Sequence, residues 1–478
     1  MESQEVTLTI DGVKVKTPKG TPILEVARQI GIEIPTLCYL RVLSPFGACR
    51  VCSVEVTIPN GRKRIVTSCN YPAEDGLIVE TKSERVVKVR RKVLELLLAR
   101  CPKVTRIKTL ASLYGVKESS LWIENESEDC ILCGLCVRVC GELIGVSAIN
   151  FANRGIKRVV TTPYDEFSED CMGCGACAIV CPTGSKRVRT NNYSTMRPLT
   201  GPKKDEYFGV YSEIISAKSS IEGQDGGVVT ALLISGLKKG LFNKAIVVKR
   251  KCGYNAEAFI AENFEDLMDA RGTKYLRVKI VPKLKELIKN GERKIAVVGT
   301  PCQARAARKI QQTLQQEYQD LDMMIIGLFC YEAFDYDKLK EETKRLLGVD
   351  LDASEKTQIR KGKFIVTVDG QEYSCRVKEL EKAIEKGCIY CNDFAAMFAD
   401  ISVGAVGSQE GFSTVIVRTD KGKRLLENTE LTLGQVKAEE VSRLSAIKKD
   451  RAKENLAPLL QEIHAIRSQS KGAVGNGA

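Results

Sequence analysis

The sequence predicts a multidomain α+β protein built from three globular modules. Three observations predict it. At 478 residues the chain is long enough for several separate cores. Its middle carries a doubled cysteine pattern. Its second half changes from hairpin-like alternation to apolar strands alternating with amphipathic helices.

Residues 1–82 read as a small β-rich module. VTLTI (6–10) and VKVK (13–16) alternate around Asp11-Gly12, a hairpin signal. Thr21-Pro22 predicts a helix start with Thr21 as cap, and Gly31 a stop. A second hairpin turns at Asn60-Gly61, and LIVE (77–80) is a last strand. Cys38, Cys49, Cys52 and Cys69 are spaced x10, x2 and x16, with the short pair in a loop before a strand. Spacing alone leaves an iron–sulfur cluster and a structural zinc open.

Residues 83–116 read as a helical linker, with Val89, Val93, Leu96 and Leu97 recurring at helical spacing. Cys101 there reads as a buried or spare thiol.

Residues 117–195 contain DCILCGLCVRVC and DCMGCGACAIVCP, each a C-x2-C-x2-C-x3-C run, the second closing on Cys181-Pro182. This is the bacterial two-cluster pattern, in which the fourth cysteine of each run reaches the other cube. Cys130, Cys133, Cys136 and Cys181 are therefore expected to hold one 4Fe–4S cluster. Cys171, Cys174, Cys177 and Cys140 are expected to hold a second. Gly134, Gly173 and Gly175 let the backbone curl close to the metal. Zinc knuckles or a disulfide scaffold are the alternatives. Nineteen cysteines in a chain whose first residues are polar argue for metal ligation, and the sequence predicts a cytoplasmic protein. A single histidine, His464, excludes a His-rich metal site or a His-based triad.

RPLTGPKKDEYFG (197–209) reads as a linker, and residues 206–435 as an α/β unit with a mixed sheet. AIVVK (245–249), KIAVVGT (294–300) and MMIIGLF (323–329) read as buried strands. VVTALLISGLKKG (228–240), FEDLMDARG (264–272) and VPKLKELIKNG (281–291) read as helices. A hairpin is expected around Asp369-Gly370, and a strand and turn over 413–422. Residues 436–478 read as a helical tail, partly disordered. Cys302 and Cys330 follow strands in Gly/Pro-rich loops, and Cys388 and Cys391 form a C-x2-C pair. Their spacing leaves a cluster, a zinc or unrelated thiols open. Cys101, Cys252 and Cys375 are left over and read as structural.

The formal charge is +13. Four clusters at about −2 each would reduce it to roughly +5, which suits an anionic cofactor or an acidic redox partner. Lys and Arg are dispersed with few aromatic residues between them, so nucleic acid is not an expected partner. No apolar run reaches eighteen residues, so no transmembrane helix is expected.

Two resemblances extend this reading. GIEIPTLCYL, GACRVCSVEV and TSCNYPAEDGLIV resemble the 2Fe–2S β-grasp ferredoxin domain of complex I large subunits and iron-only hydrogenases. This implies one 2Fe–2S cluster on Cys38, Cys49, Cys52 and Cys69. That family continues into a His-plus-three-Cys site. Here only Cys101 stands in the corresponding segment, so no cluster is expected there. GQDGGVVTALL (223–233), RGTKY (271–275), GTPCQ (299–303), GLFCYEAF (327–334) and CIYCNDFAAMFADISVGAVGS (388–408) resemble the β subunit of coenzyme F-420 (F420) hydrogenases and dehydrogenases. That likeness implies a third 4Fe–4S cluster on Cys302, Cys330, Cys388 and Cys391. It also implies FAD, held by Gln224, Asp225, Gly226, Gly227 and Thr230 and by Thr273, Lys274 and Tyr275. Gly226-Gly227 opening a helix would let a pyrophosphate approach backbone N–H groups. A plain helix-entry turn is the alternative there, as a solvated lysine is for Lys274.

Together the resemblances imply an iron–sulfur flavoprotein oxidoreductase subunit with F420 as substrate. It would pass electrons through FAD and the clusters to a catalytic or electron-accepting partner subunit, with no catalytic side chain of its own. The alternative is a ferredoxin- or other-acceptor-linked electron-transfer subunit of a formate dehydrogenase, hydrogenase or heterodisulfide reductase complex, without F420 activity. No G-x-G-x-x-G follows a strand, which argues against NAD(P)H. The usual hydrogenase β subunit lacks the N-terminal 2Fe–2S domain, so this chain would carry an extra cluster.

Overall fold

The computed structural model describes residues 4–468 apart from 124, 167, 186–196 and 316. The expected disordered end and the last residues of the 117–195 module lie outside them. Strands β1 (Glu5–Ile10), β2 (Val13–Pro18), β3 (Ser53–Thr57), β4 (Lys63–Thr67) and β5 (Ile78–Glu80) form one sheet in the order β2-β1-β5-β3-β4. Asp11 and Gly12 both take positive φ, as a two-residue hairpin turn demands, and Ile10 pairs with Val13. Val6, Leu8 and Ile10 alternate inward against Ile23, Leu24, Val26 and Ala27 of helix Ile23–Gln29. Thr21 is not the cap. Its hydroxyl donates to Pro18 O (2.7 Å), and Pro22, with φ preset by its ring, flanks the helix.

Residues 83–116 form two helices, Glu84–Arg100 and Thr105–Ser112. The break falls at Cys101-Pro102, because a residue before proline is driven out of the helical region. The buried face is Val86, Arg90, Leu94 and Leu98. The expected stripe is therefore displaced: Val89, Val93 and Leu97 are half-buried and Leu96 is exposed. Arg90 belongs to the core face because its guanidinium donates to Ser53 O (2.7 Å) and Tyr114 OH (3.2 Å).

Short helices Leu135–Arg138 and Ala176–Ile179 each follow a left-handed glycine, Gly134 and Gly175. Strands β6 (Asn150–Ala152) and β7 (Val159–Thr161) pair beside them. One apolar core joins this segment to its neighbours. It contains Leu37 and Leu43, Leu94 and Leu98, Leu135 and Val139, and Leu459, Ile463 and Ile466.

Residues 197–209 are more than a linker: β8 (Lys203–Asp205) and β9 (Gly209–Tyr211) pair as a hairpin. Buried Arg418 pins it, donating to the carbonyls of Phe208, Val210 and Ala395. The remaining strands are β10 (Glu213–Lys218), β11 (Lys244–Arg250), β12 (Ala256–Ala261), β13 (Lys294–Gly299), β14 (Asp322–Leu328), β15 (Lys356–Arg360), β16 (Lys363–Val368), β17 (Gln371–Arg376), β18 (Ile401–Gly404), β19 (Ser413–Val417) and β20 (Thr432–Gly434). The main sheet is mixed, in the order β12-β11-β13-β14-β18-β19-β10-β20. Its centre, β11-β13-β14-β18, is parallel, and the strands outside it are antiparallel. Helices Val281–Lys289 and Pro301–Leu314 pack into one core against the sheet. Helices Val228–Lys238 and Asp420–Glu427 pack into another. The Asp369-Gly370 hairpin lies outside this sheet, in a three-stranded one with β15. After β19 the chain enters helix Asp420–Glu427, capped by Thr419, rather than a turn. Helix Ala438–Ser468 closes the described chain. Among the described residues no helix is long and apolar enough to cross a membrane.

Candidate electron-transfer centres

The N-terminal sheet and the loop before it bring Cys38, Cys49, Cys52 and Cys69 together. The Cys38 thiol lies beside those of Cys49 and Cys69, and the Cys52 thiol beside that of Cys69. Cys49 N donates to Cys38 Sγ (3.5 Å). All four are buried.

In the middle segment, burial pushes the thiols of Cys130, Cys133 and Cys136 up, and the charge of Cys181 adds to each. Burial likewise raises Cys171 and Cys177, and both feel Cys140. Cys140 in turn feels Cys174. Each run's last cysteine is thus grouped with the other run's first three. Buried, mutually repelling thiols stay protonated until a cation compensates them, which is the chemistry of a thiolate metal or cluster set. Among the described residues no three His, Cys, Asp or Glu side chains are arranged for a single metal ion.

The third set gathers from three places. Cys302 lies in the first turn of helix Pro301–Leu314 rather than in a loop, behind a capping box of Thr300 and Gln303. Cys330 follows β14, and Cys388 and Cys391 sit on and just past the short helix Lys386–Tyr390. Cys330, raised by burial, feels Cys388, Cys302 and Cys391. Ala333 N donates to Cys388 Sγ (3.4 Å). Sequence reasoning missed the cations here. Lys448, 1% exposed, donates from Nζ to Cys330 O (2.6 Å) and Asp393 O (2.8 Å). Arg451 donates to Glu332 Oε2 (2.7 Å) and to Cys388 O (3.3 Å). Both stand on helix Ala438–Ser468, the segment the sequence presents as a tail.

The sets neighbour one another in series. Cys133 feels Cys38, Cys136 feels Cys177, and Cys174 feels Cys391. Of the leftover thiols, Cys101 and Cys375 are buried. Cys252 is exposed on a turn, so burial in a core does not account for it.

The eight residues expected at a flavin fall into the 224–230 loop and helix start and the adjoining 273–275 loop. Gln224 Oε1 accepts from Thr273 N (2.8 Å), and its Nε2 donates to Tyr275 OH (3.3 Å). Lys274 Nζ donates to the carbonyls of Ala270 (2.7 Å) and Arg271 (2.9 Å). Burial, then the charge of Arg250, holds its ammonium down to about 8. Asp225 is exposed, with Lys356 and Arg360 as charged neighbours. Thr230 stands in the first turn of helix Val228–Lys238, whose N-terminus has no side-chain cap. The two glycines answer to packing. A Cβ on Gly226 would meet Ala217 O at 2.7 Å, and one on Gly227 would meet Ile221 O at 2.1 Å. Packing alone therefore excludes a side chain at both positions. What fits an anionic, planar cofactor is the uncapped helix start beside a desolvated lysine and a tyrosine.

Comparison with known proteins bears on these centres. Residues 3–84 match the model of a 2Fe-2S iron-sulfur cluster binding domain, and residues 129–185 that of a 4Fe-4S dicluster domain. Residues 214–285 and 292–443 match the N-terminal and C-terminal models of the coenzyme F420 hydrogenase/dehydrogenase beta subunit. The chain is 36% identical over 267 residues to the coenzyme F420 hydrogenase subunit beta of Methanothermobacter thermautotrophicus, covering 52% of this chain and 95% of that one. It is 39% identical over 259 residues to the coenzyme F420-dependent sulfite reductase of Methanocaldococcus jannaschii, covering 52% of this chain but 41% of that protein. A 37% likeness over 180 residues to the NADPH-Fe(3+) oxidoreductase subunit alpha of Geobacter sulfurreducens covers 33% of this chain and 21% of that one. In the solved F420-reducing [NiFe] hydrogenase complex of Methanosarcina barkeri, one chain superposes with a TM-score of 0.51 at 30% identity. The match covers 54% of this chain and 94% of that one.

Proposed function

Given that the chain belongs to the coenzyme F420 hydrogenase/dehydrogenase beta subunit family and carries 2Fe–2S and 4Fe–4S binding domains besides, we propose that it is the F420-linked electron-transfer subunit of a larger oxidoreductase. The observation that carries this reading is the serial electrostatic proximity of four thiol sets: Cys38 to Cys133, Cys136 to Cys177, Cys174 to Cys391. In this reading the first set holds 2Fe–2S on a β-grasp sheet and the other three hold 4Fe–4S. FAD lies against Gln224, Asp225, Gly226, Gly227, Thr230, Thr273, Lys274 and Tyr275. When bound, FAD supplies the exchange between a hydride and single electrons, and the clusters supply sites for single electrons.

The chain's own residues then do three things. Gln224 locks the 223–227 turn to the 271–275 loop, so the flavin contacts move as one body. Lys274 and the free N–H groups of helix Val228–Lys238 attract phosphate. Lys448 and Arg451 place fixed positive charge beside the third 4Fe–4S thiol set. No side chain in this arrangement serves as nucleophile or general base. F420 would be the hydride-carrying substrate, and a catalytic or electron-accepting subunit the partner.

The test is anaerobic reconstitution with FAD, iron and sulfide. Reduced F420 should then drive viologen reduction, and the protein should hold about fourteen irons per chain. Bound flavin without viologen reduction overturns the F420 assignment. Far fewer irons overturn the four-cluster assignment. The likeness to the Geobacter subunit favours a second reading in which another donor replaces F420. Viologen reduction by NADPH, and not by reduced F420, would establish it.

A further inference from the structure

We propose that the solvent face of helix Glu84–Arg100, with the 113–122 loop packed on it, is the docking site for an acidic single-electron carrier protein. This rests on the electron-transfer reading above. By burying Val86, Arg90, Leu94 and Leu98, the helix turns Arg85, Lys88, Arg91, Lys92 and Leu96 outward. Residues 84–117 hold ten Lys and Arg against two Glu, so the segment's field is strongly positive. Glu55, Glu95 and Glu126 offset Arg85, Lys92 and Lys103. Lys88, Lys108 and Lys117 are exposed and have no ion pair among the described residues.

The loop adds what a solvated charge run lacks. Ser120 N donates to Glu95 Oε1 (3.2 Å), and Gly115 lies against the Arg91 guanidinium. Those contacts tie the loop that carries Leu113 and Trp122 to the helix that carries exposed Leu96. The three are 36%, 76% and 53% exposed, and Trp122 is the chain's one tryptophan. Exposed aromatic and aliphatic side chains accompanied by uncompensated cations have the composition of a docking interface, in which charge steers approach and apolar contact holds.

The position also fits a carrier. Arg90 Nη2 donates to Ser53 O, one residue from Cys52, and Arg100 Nε donates to Cys130 O (2.8 Å). The helix therefore spans the first two thiol sets, at the end of the series remote from Cys391. An acidic protein is favoured over other polyanions because exposed Leu96, Leu113 and Trp122 accompany the cations and offer apolar contact as well as charge.

The experiment titrates the reconstituted full chain with a purified acidic two-cluster ferredoxin, read through Trp122 emission. We expect saturable quenching, a steep loss of affinity with added salt, and at least tenfold weaker binding in the double variant Lys88→Glu, Arg91→Glu. Salt-independent affinity in the unmodified protein overturns the proposal without relying on any variant. So does equal affinity in the double variant, or tighter binding to a single-stranded oligonucleotide or to anionic vesicles. Viologen reduction by reduced F420, measured on the same samples, reports separately on the electron-transfer reading.

Discussion

Replacing Lys448 by Met should lower the midpoint potential of the third 4Fe–4S centre. Lys448 is buried, and its Nζ bonds the backbone of Cys330 and Asp393, so its charge is fixed beside the thiol set rather than screened by water. For a separation of about 8 Å and an effective dielectric of about 20, a unit charge contributes on the order of 2 kcal/mol. At about 59 mV per tenfold change for one electron, that is a downward shift of roughly 90 mV. The added electron loses its attraction to the cation, so the sign is negative. Met also leaves two buried carbonyls without a donor, which costs about 1–3 kcal/mol of stability for each. Lys448→Arg keeps the charge and separates the two effects. The assay is an EPR-monitored redox titration of both variants against the unmodified chain. A potential unchanged in Lys448→Met, or equal shifts in Met and Arg, would refute the electrostatic reasoning.

Three further outcomes are expected. Cys181→Ala should abolish the cluster of Cys130, Cys133 and Cys136 while leaving that of Cys171, because Cys181 neighbours the first three; Mössbauer spectra of the variant decide it. Gly227→Ala should cost at least about 2 kcal/mol in urea unfolding, since its φ of 65° and its contact with the Ile221 carbonyl both oppose a Cβ. Lys274, held at about 8 in the fold against an ordinary 10.5, should lose its charge as pH rises through 8. Pyrophosphate affinity measured by calorimetry should then fall between pH 7 and 9, and Lys274→Met should flatten the dependence. Because the unfolded lysine holds its proton longer, this group's contribution makes the fold more stable as pH rises from about 8 toward 10.5.

The two C-x2-C-x2-C-x3-C runs were legible because their ligand spacing is local, whereas the sets of Cys38 and of Cys302 were read only through resemblance; the chain order of strands and helices followed from apolar periodicity. The face of helix Glu84–Arg100 was misread for a physical reason. Arg90 occupies a core position by donating to Ser53 O and Tyr114 OH, and a charged residue breaks the stripe that hydropathy follows. Gly226 and Gly227 read as a ligand cradle or a packed turn, and the Ala217 and Ile221 carbonyls beside them require glycine for packing whatever binds there. Lys448 and Arg451 carried no local signal at all. They matter because a distant helix brings them to Cys330 and Cys388, and no spacing rule links residues that meet only through the fold.

That helix also bears on how the protein matures. Ala438–Ser468 touches Cys330 through Lys448 and enters the shared core with Leu459, Ile463 and Ile466. It also reaches the N-terminal sheet domain, where Glu462 accepts from Arg41 N (2.6 Å). It is synthesised after every proposed ligand cysteine, and modules generally fold in order from the N-terminus. Until it emerges, the three modules lack the piece that spans them. Its arrival then works as a latch that ties the modules to one another and fixes their spacing.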